Sequence, residues 1–147
     1  MIPTIQFFVA GIPKPAGSKR GFFIPKLNRV VIVDANKNAK DWKTDVKHAA
    51  QSAYQGPLII VPIALKLTFH ILRPKGHFRS GRNSALLRDG APPFPASKPD
   101  VLKLARGVED AMTGIIYQDD AQIVSERLFK RYAAAPGVTV EIAEETP

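Results

Sequence analysis

Hydrophobic side chains repeat along the chain in two rhythms, and each rhythm predicts a kind of element. Alternation is clearest in the stretch 58–72 (LIIVPIALKLTFHIL). There Leu65, Leu67, Phe69 and Ile71 share one face of a predicted strand, and Lys66, Thr68 and His70 share the other. Pro62 has no N–H to give a ladder, so it marks an edge position or a bulge near the start of that strand. Residues 5–10 (IQFFVA) read as a first strand, closed by Gly11-Ile12-Pro13. The β-branched run 30–33 reads as a second, closed by Asp34-Ala35-Asn36. Two more strands are expected at about 122–131 and 138–144, joined through Ala134-Ala135-Pro136-Gly137.

Helical spacing appears twice. Over 39–54, Trp42, Val46, Ala49, Ala50 and Ala53 recur on one face, with Trp42 as core anchor, and Gln55-Gly56-Pro57 ends the helix. Over 101–113, Val101, Leu104, Ala105, Val108, Ala111 and Met112 form the apolar stripe, while Lys103, Arg106 and Asp110 fall on another face. Two stretches follow neither rhythm. Residues 11–29 hold no acid and many Gly, Pro and basic residues, which fits an ordered loop or a broad hairpin connection. Residues 73–99 hold six Lys/Arg and one acid, and a loop of this length is expected to be mobile without ligand. The order β-β-α-β-loop-α-β-β predicts one small two-layer α/β (α+β) domain over residues 1–147, with a mixed sheet and two main helices.

Composition narrows the chemistry. A chain of 147 residues suits one domain, and with no cysteine it has no disulfide, zinc–thiolate site or thiol nucleophile. The longest apolar run has eight residues, far short of a bilayer span, and the apolar N-terminus carries no basic leader. A cytoplasmic protein without a membrane partner is expected. The net charge is +8 and unevenly spread: residues 1–99 hold 16 bases and four acids, residues 100–147 five bases and nine acids. A basic region suits a polyanion such as DNA, because Lys and Arg release its condensed counterions. Acids gathered beside it suit a hard cation at a scissile phosphate. A generic basic surface remains the alternative at this point.

The segment 97–124 (SKPDVLKLARGVEDAMTGIIYQDDAQIV) carries the candidate chemistry. Asp100 starts the second helix, Asp110 lies on its outward edge, and Asp119 and Asp120 follow the turn and can fold back toward that edge. Two or three such carboxylates suffice for magnesium, with manganese as the substitute ion. The structural alternatives are an N-cap at Asp100, an i,i+4 pair between Arg106 and Asp110, and a simple turn at Asp119-Asp120. Phosphate contacts are expected from Lys14, Lys19 and Arg20, with Phe22 and Phe23 nearby, from Arg73, Lys75, Arg79, Arg82, Arg88 and Lys98 of the long loop, and from Lys103. His48, His70 and His77 have no metal-ligand spacing, and GIPKPAGSKR lacks the order of a nucleotide P-loop.

GIPKPAGSKR after the first strand, KPDVLKLARGVEDAMTG and the DDAQI motif together make the chain resemble the RusA-type Holliday junction resolvases, over most of its length. That family, common in phages and prophages, consists of small homodimeric, magnesium-dependent endodeoxyribonucleases that cut four-way DNA junctions by paired nicks. The resemblance implies metal aspartates at Asp100 and Asp120, with a cation near the scissile phosphate at Arg106, where the family has lysine. Asp110 also has a counterpart there. It departs at Leu102, where the family's D-x-D-N motif places a second metal carboxylate. Either Asp110 or Asp119 takes over that role, or the chain binds branched DNA with weakened or lost cleavage. Leu102 could also lie against a partner subunit.

Overall fold

The computed structural model describes residues 1–16, 19–34 and 39–147, and for 19–24, 27, 29–34, 39 and 40 it describes the backbone alone. The sheet is built around the most regular alternation in the sequence. Strand β4 (Ile63–Ile71) buries Ile63, Leu65, Leu67 and Phe69 almost completely. On its other face Lys66 pairs with Glu141 at 3.1 Å, and His70 Nε2 shares a 2.8 Å hydrogen bond with Thr139 Oγ1. With β1 (Ile5–Ala10), β5 (Ile123–Tyr132) and β6 (Gly137–Glu144), it forms a four-stranded sheet in the order β1-β6-β4-β5. The first two pairings are antiparallel and β4–β5 is parallel, so the sheet is mixed, as expected. A parallel pair needs a long crossover. Residues 73–99 and the second helix provide it.

β4 is therefore an interior strand. Of the two positions open to Pro62, the bulge is the one realised: the pairing with β5 shifts register between Ile63 and Ala64. The apolar residues ahead of it leave the strand, and Ile59 instead exchanges backbone hydrogen bonds with Ile116 and Gln118 at 2.9 and 3.1 Å.

Helix α1 (Ala39–Ala53) packs on β1 and on α2 (Val101–Met112), which in turn lies against β5. Trp42, Val46 and Ala50 of α1 and Leu104, Ala105, Val108, Ala111 and Met112 of α2 meet the inward side chains of β1, β4 and β6 in one core. Cutting a side chain such as Leu67 to alanine would cost about 2–5 kcal/mol. Gly137 is required where β6 begins, because a Cβ there would stand 2.2 Å from the carbonyl oxygen of Val9.

The stretch 11–29 resolves the choice between loop and hairpin. β2 (Lys19–Ile24) pairs antiparallel with β3 (Arg29–Asp34) in a separate two-stranded sheet. A single 3₁₀ turn joins them, with Asn28 at φ 48°, a conformation asparagine tolerates better than most residues. β3 matches the expected second strand. β2 is an addition, since Lys19, Arg20 and Gly21 interrupt any β pattern in the sequence.

Residues 73–99 form two 3₁₀ turns and a small internal ladder. Arg79 N donates to Leu86 O at 2.8 Å, and Arg88 N to His77 O at 2.8 Å. Three arginine side chains fasten this segment to itself: Arg73 to Pro92 O, Arg79 to Leu87 O and Arg88 to Phe78 O. Among the described residues, no helix is long and apolar enough to cross a membrane.

Candidate metal centre and cationic surface

The C-terminal end of α2 carries a concentration of acids. Thr113 N, Thr113 Oγ1 and the Tyr117 hydroxyl all donate to Glu109 O at 2.9–3.0 Å, which fixes the last turn. Burial pushes the Tyr117 phenol up, so it stays a neutral donor. Gln122 Nε2 donates to Ile59 O and Val61 O at 2.9 and 3.0 Å, which ties the start of β5 to the segment ahead of β4. Between these anchors, Asp119 caps a 3₁₀ turn over Asp120–Gln122: its carboxylate accepts from Ala121 N at 2.8 Å, and Gln122 Oε1 accepts from Asp119 N at 2.8 Å. Asp119 thus does the turn's work, and Asp120 is left exposed beside it.

Electrostatics shows how crowded this end is. Burial, a hydrogen bond with Glu126, and the negative charges of Glu126, Asp120 and Asp110 push Glu109 up to about 8. Asp120 is also raised, by desolvation first, then by hydrogen bonding and charge from Asp119 and by the charge of Asp110. Lys43 of α1 answers part of this charge, lying 3.5 Å from Asp110 Oδ2. Asp110 therefore pairs across to α1. Glu109 and Glu126 were not among the sequence candidates. No motif marks them, because their meeting depends on α2 crossing β5. Among the described residues, no three acidic or histidine side chains of one chain are gathered tightly enough to hold a metal ion.

Asp100 stands at the opposite end of α2. It occupies the N-cap position, yet its exposed carboxylate makes no capping hydrogen bond. Lys130 of β5 fixes the approach to it by donating to Ser97 O at 2.7 Å and Pro99 O at 2.9 Å. Ten residues of helix separate Asp100 from Asp110, about 15 Å of rise. Within one chain the structure thus brings Asp120 to Asp110, Asp119 and Glu109, but leaves Asp100 apart. Leu102, at the position of the missing carboxylate, is 66% exposed.

Cations line the helix between these ends. Lys103 and Arg106 are exposed on α2. Residues 14–16 run beside them, with Ala16 N donating to Lys103 O at 3.0 Å. Gly107 lies beneath this segment, where a Cβ would make an ordinary contact with Lys14 O at 3.5 Å. Lys14 is half-buried, while the side chains of Lys19, Arg20, Phe22 and Phe23 lie outside the described residues. In the long loop Lys75, Arg82 and Lys98 are exposed, whereas Arg73, Arg79 and Arg88 are braced as described, Arg79 also reaching Asp89 at 3.3 Å.

A two-layer mixed-sheet domain with acids at both ends of one helix and cations between them has the composition of a nucleic-acid phosphodiesterase. The comparisons agree. The family model for endodeoxyribonuclease RusA matches residues 14–143. The chain is also 31% identical over 140 residues to the uncharacterized protein YqaN of Bacillus subtilis (strain 168), covering 95% of this chain and 96% of that one. The chain belongs to the RusA endodeoxyribonuclease family.

Proposed function

We propose that the protein is a magnesium-dependent endodeoxyribonuclease that acts as a homodimer and resolves four-way DNA junctions by paired nicks, with manganese able to replace magnesium. The observation that carries this reading is the meeting of Glu109, Asp110, Asp120 and Glu126 at the end of α2, where desolvation first and neighbouring acids second raise Glu109 and Asp120. A hard divalent ion needs only one or two protein carboxylates in addition to phosphate and water, so this end of α2 need supply only part of a site. Asp100 and Asp120 would hold the ion, with Asp110 or Asp119 supplying the carboxylate that Leu102 lacks. Since one chain keeps Asp100 and Asp120 at opposite ends of α2, the shared site would form between two copies. Asp100 of one subunit would then meet Asp120 of the other.

The apolar exposure of Leu102 near Asp100, and of Val124 and Ile60 flanking the Asp120 turn, supports such a pairing, because twofold contact would cover both ends at once. A bound magnesium ion supplies Lewis acidity toward the scissile phosphate. Arg106 and Lys103 hold the phosphate and neutralise charge that grows on its oxygens during displacement. Lys14 and the cations of the 73–99 loop grip the flanking backbone, so junction shape is read through phosphate positions. Two equivalent sites on a twofold dimer fit two equivalent strands of a four-way junction. DNA as substrate puts this work in the cytoplasm of a bacterial cell, and a phage or prophage source agrees with the resemblance.

Leu102 also supports a second reading, a branched-DNA-binding protein with weakened or lost cleavage. Titrating four-way DNA with and without magnesium separates the two: binding under both conditions with nicks only in magnesium is the expected result. Asp120→Asn should abolish nicking and leave junction affinity intact; persistent nicking would place the reaction elsewhere.

A further inference from the structure

The 73–99 segment and the end of β5 enclose a cavity of about 400 Å³, away from the acid cluster. Its walls are apolar, with Leu72, Phe78, Leu87 and Pro93 contributing, and Arg73, Arg131 and Tyr132 border it. The volume lies at the small end of ligand pockets, which run from roughly 300 to 1,000 Å³. Guanidinium and aromatic planes are layered around it. Arg73 lies 4.2 Å from the Tyr132 ring centroid, and His77 meets the same ring edge-on at 5.6 Å. Arg131 lies between Phe94 of the loop and Phe129 of β5, at 5.2 and 4.9 Å. Arg73 is held in place by Pro92 O at 2.8 Å, so its plane is preset.

Two apolar side chains of the lining remain open to solvent, Leu72 at 45% and Leu87 at 40%, and so does Phe94, which follows the lining Pro93, at 55%. The adjoining segment 73–99 holds six Lys/Arg, and its one acid, Asp89, is paired with Arg79. Contacts to phosphate alone would need the cations but not an apolar hollow. A purely apolar ligand would need the hollow but not the cations. An unstacked nucleotide uses both, its base against aromatic and guanidinium planes and its phosphates on the rim.

We propose that this cavity takes one unstacked base of single-stranded or branched DNA. The proposal deepens the nuclease reading and rests on it for the source of the base, which a distorted junction centre would provide. The cavity borders Arg131 and Tyr132, next in sequence to the Lys130 that holds Ser97 and Pro99 ahead of Asp100. A base seated here would therefore set the register of its strand relative to that aspartate.

The test titrates the full chain, without magnesium, against three probes at one salt concentration. They are a ten-nucleotide thymidine oligomer with one central 2-aminopurine, a four-way junction with 2-aminopurine at the branch, and a linear duplex. Phe94→Ala and Leu87→Asn are both solvent-facing changes, and unchanged melting confirms that each variant folds. Phe94→Ala is expected to weaken oligomer binding about 5- to 150-fold, the range for losing one base–aromatic stack, and Leu87→Asn, which puts an amide into the apolar wall, to weaken it as well; both should remove the 2-aminopurine fluorescence change and leave duplex affinity alone. Wild-type affinity in both variants, or equal losses on duplex and oligomer, overturns the proposal. If the wild-type chain binds the oligomer through this cavity but never nicks a junction, the pocket stands and the nuclease reading falls. If junctions are nicked while the oligomer is not bound, the reverse holds.

Discussion

A magnesium ion that touches both Asp100 and Asp120 requires two chains, and mixing two inactive variants tests this directly. Asp100 lies about 15 Å along α2 from Asp110, the residue beside Asp120. Magnesium–oxygen distances are about 2.1 Å, so two ligand oxygens on one ion stand no more than roughly 4 Å apart. No rotamer of one aspartate spans the difference. Asp100→Asn and Asp120→Asn each strip one ligand from both sites of a homodimer, and each is expected to be inactive. In a mixed dimer one site loses both ligands and the other keeps both. Purification through both tags keeps only mixed dimers, each with one live site of two, so nicking should return to about half of the wild-type rate. The products should be single nicks, because no dimer has two live sites. The assay is coexpression of the two variants with different affinity tags, purification through both tags, and gel analysis of labelled junction strands. Doubly tagged dimers as inactive as their parents would refute the composite site.

Four further outcomes bear on the other links. Glu109→Gln removes a carboxyl whose folded pKa is raised from 4.5 to about 8. The wild-type fold therefore keeps this group's full stability below pH 4.5 and loses it as pH rises through 8. With solvent screening of a half-buried group, the variant should gain about 1–2 kcal/mol over wild type at pH 9 and little at pH 4.5; urea melts showing the same difference at both values would contradict the cluster. Leu102→Asp should raise nicking at limiting magnesium if the missing carboxylate costs activity, and an unchanged magnesium titration would mean another residue already serves. Lys130→Met should cost about 1–2 kcal/mol in a thermal melt and slow nicking, since it frees Ser97 and Pro99 ahead of Asp100. Gly137→Ala should cost about 1–3 kcal/mol, because a Cβ would force β1 and β6 apart at Val9; no loss in a denaturant melt would refute that packing.

The elements legible in the sequence are those whose periodicity coincides with burial. β1, α1, α2 and the end of β4 fall within a residue of their expected bounds, because their inward faces are continuous apolar stripes. β2 was hidden because Lys19, Arg20 and Gly21 give no alternating pattern, and its pairing depends on β3. The front of the 58–72 stretch was over-read because apolar character does not distinguish a strand from the bridge that Ile59 makes with Tyr117. At the candidate site, the return of Asp120 toward the outward edge of α2 was legible from the turn between them. The separation of Asp100 was not, since convergence was inferred from residue type while helix length alone keeps the two ends apart. Glu109 and Glu126 escaped notice because only the crossing of α2 over β5 makes them neighbours.

The long connection between β4 and α2 closes on itself before returning to the sheet, through the Phe78–Leu87 bridge and the arginines fastened to its own carbonyls. It behaves as a cassette whose length can change while the scaffold on either side keeps its register. Exchanging this one segment for a longer or shorter one should therefore leave the pairing of β4 with β5 and β6 in place.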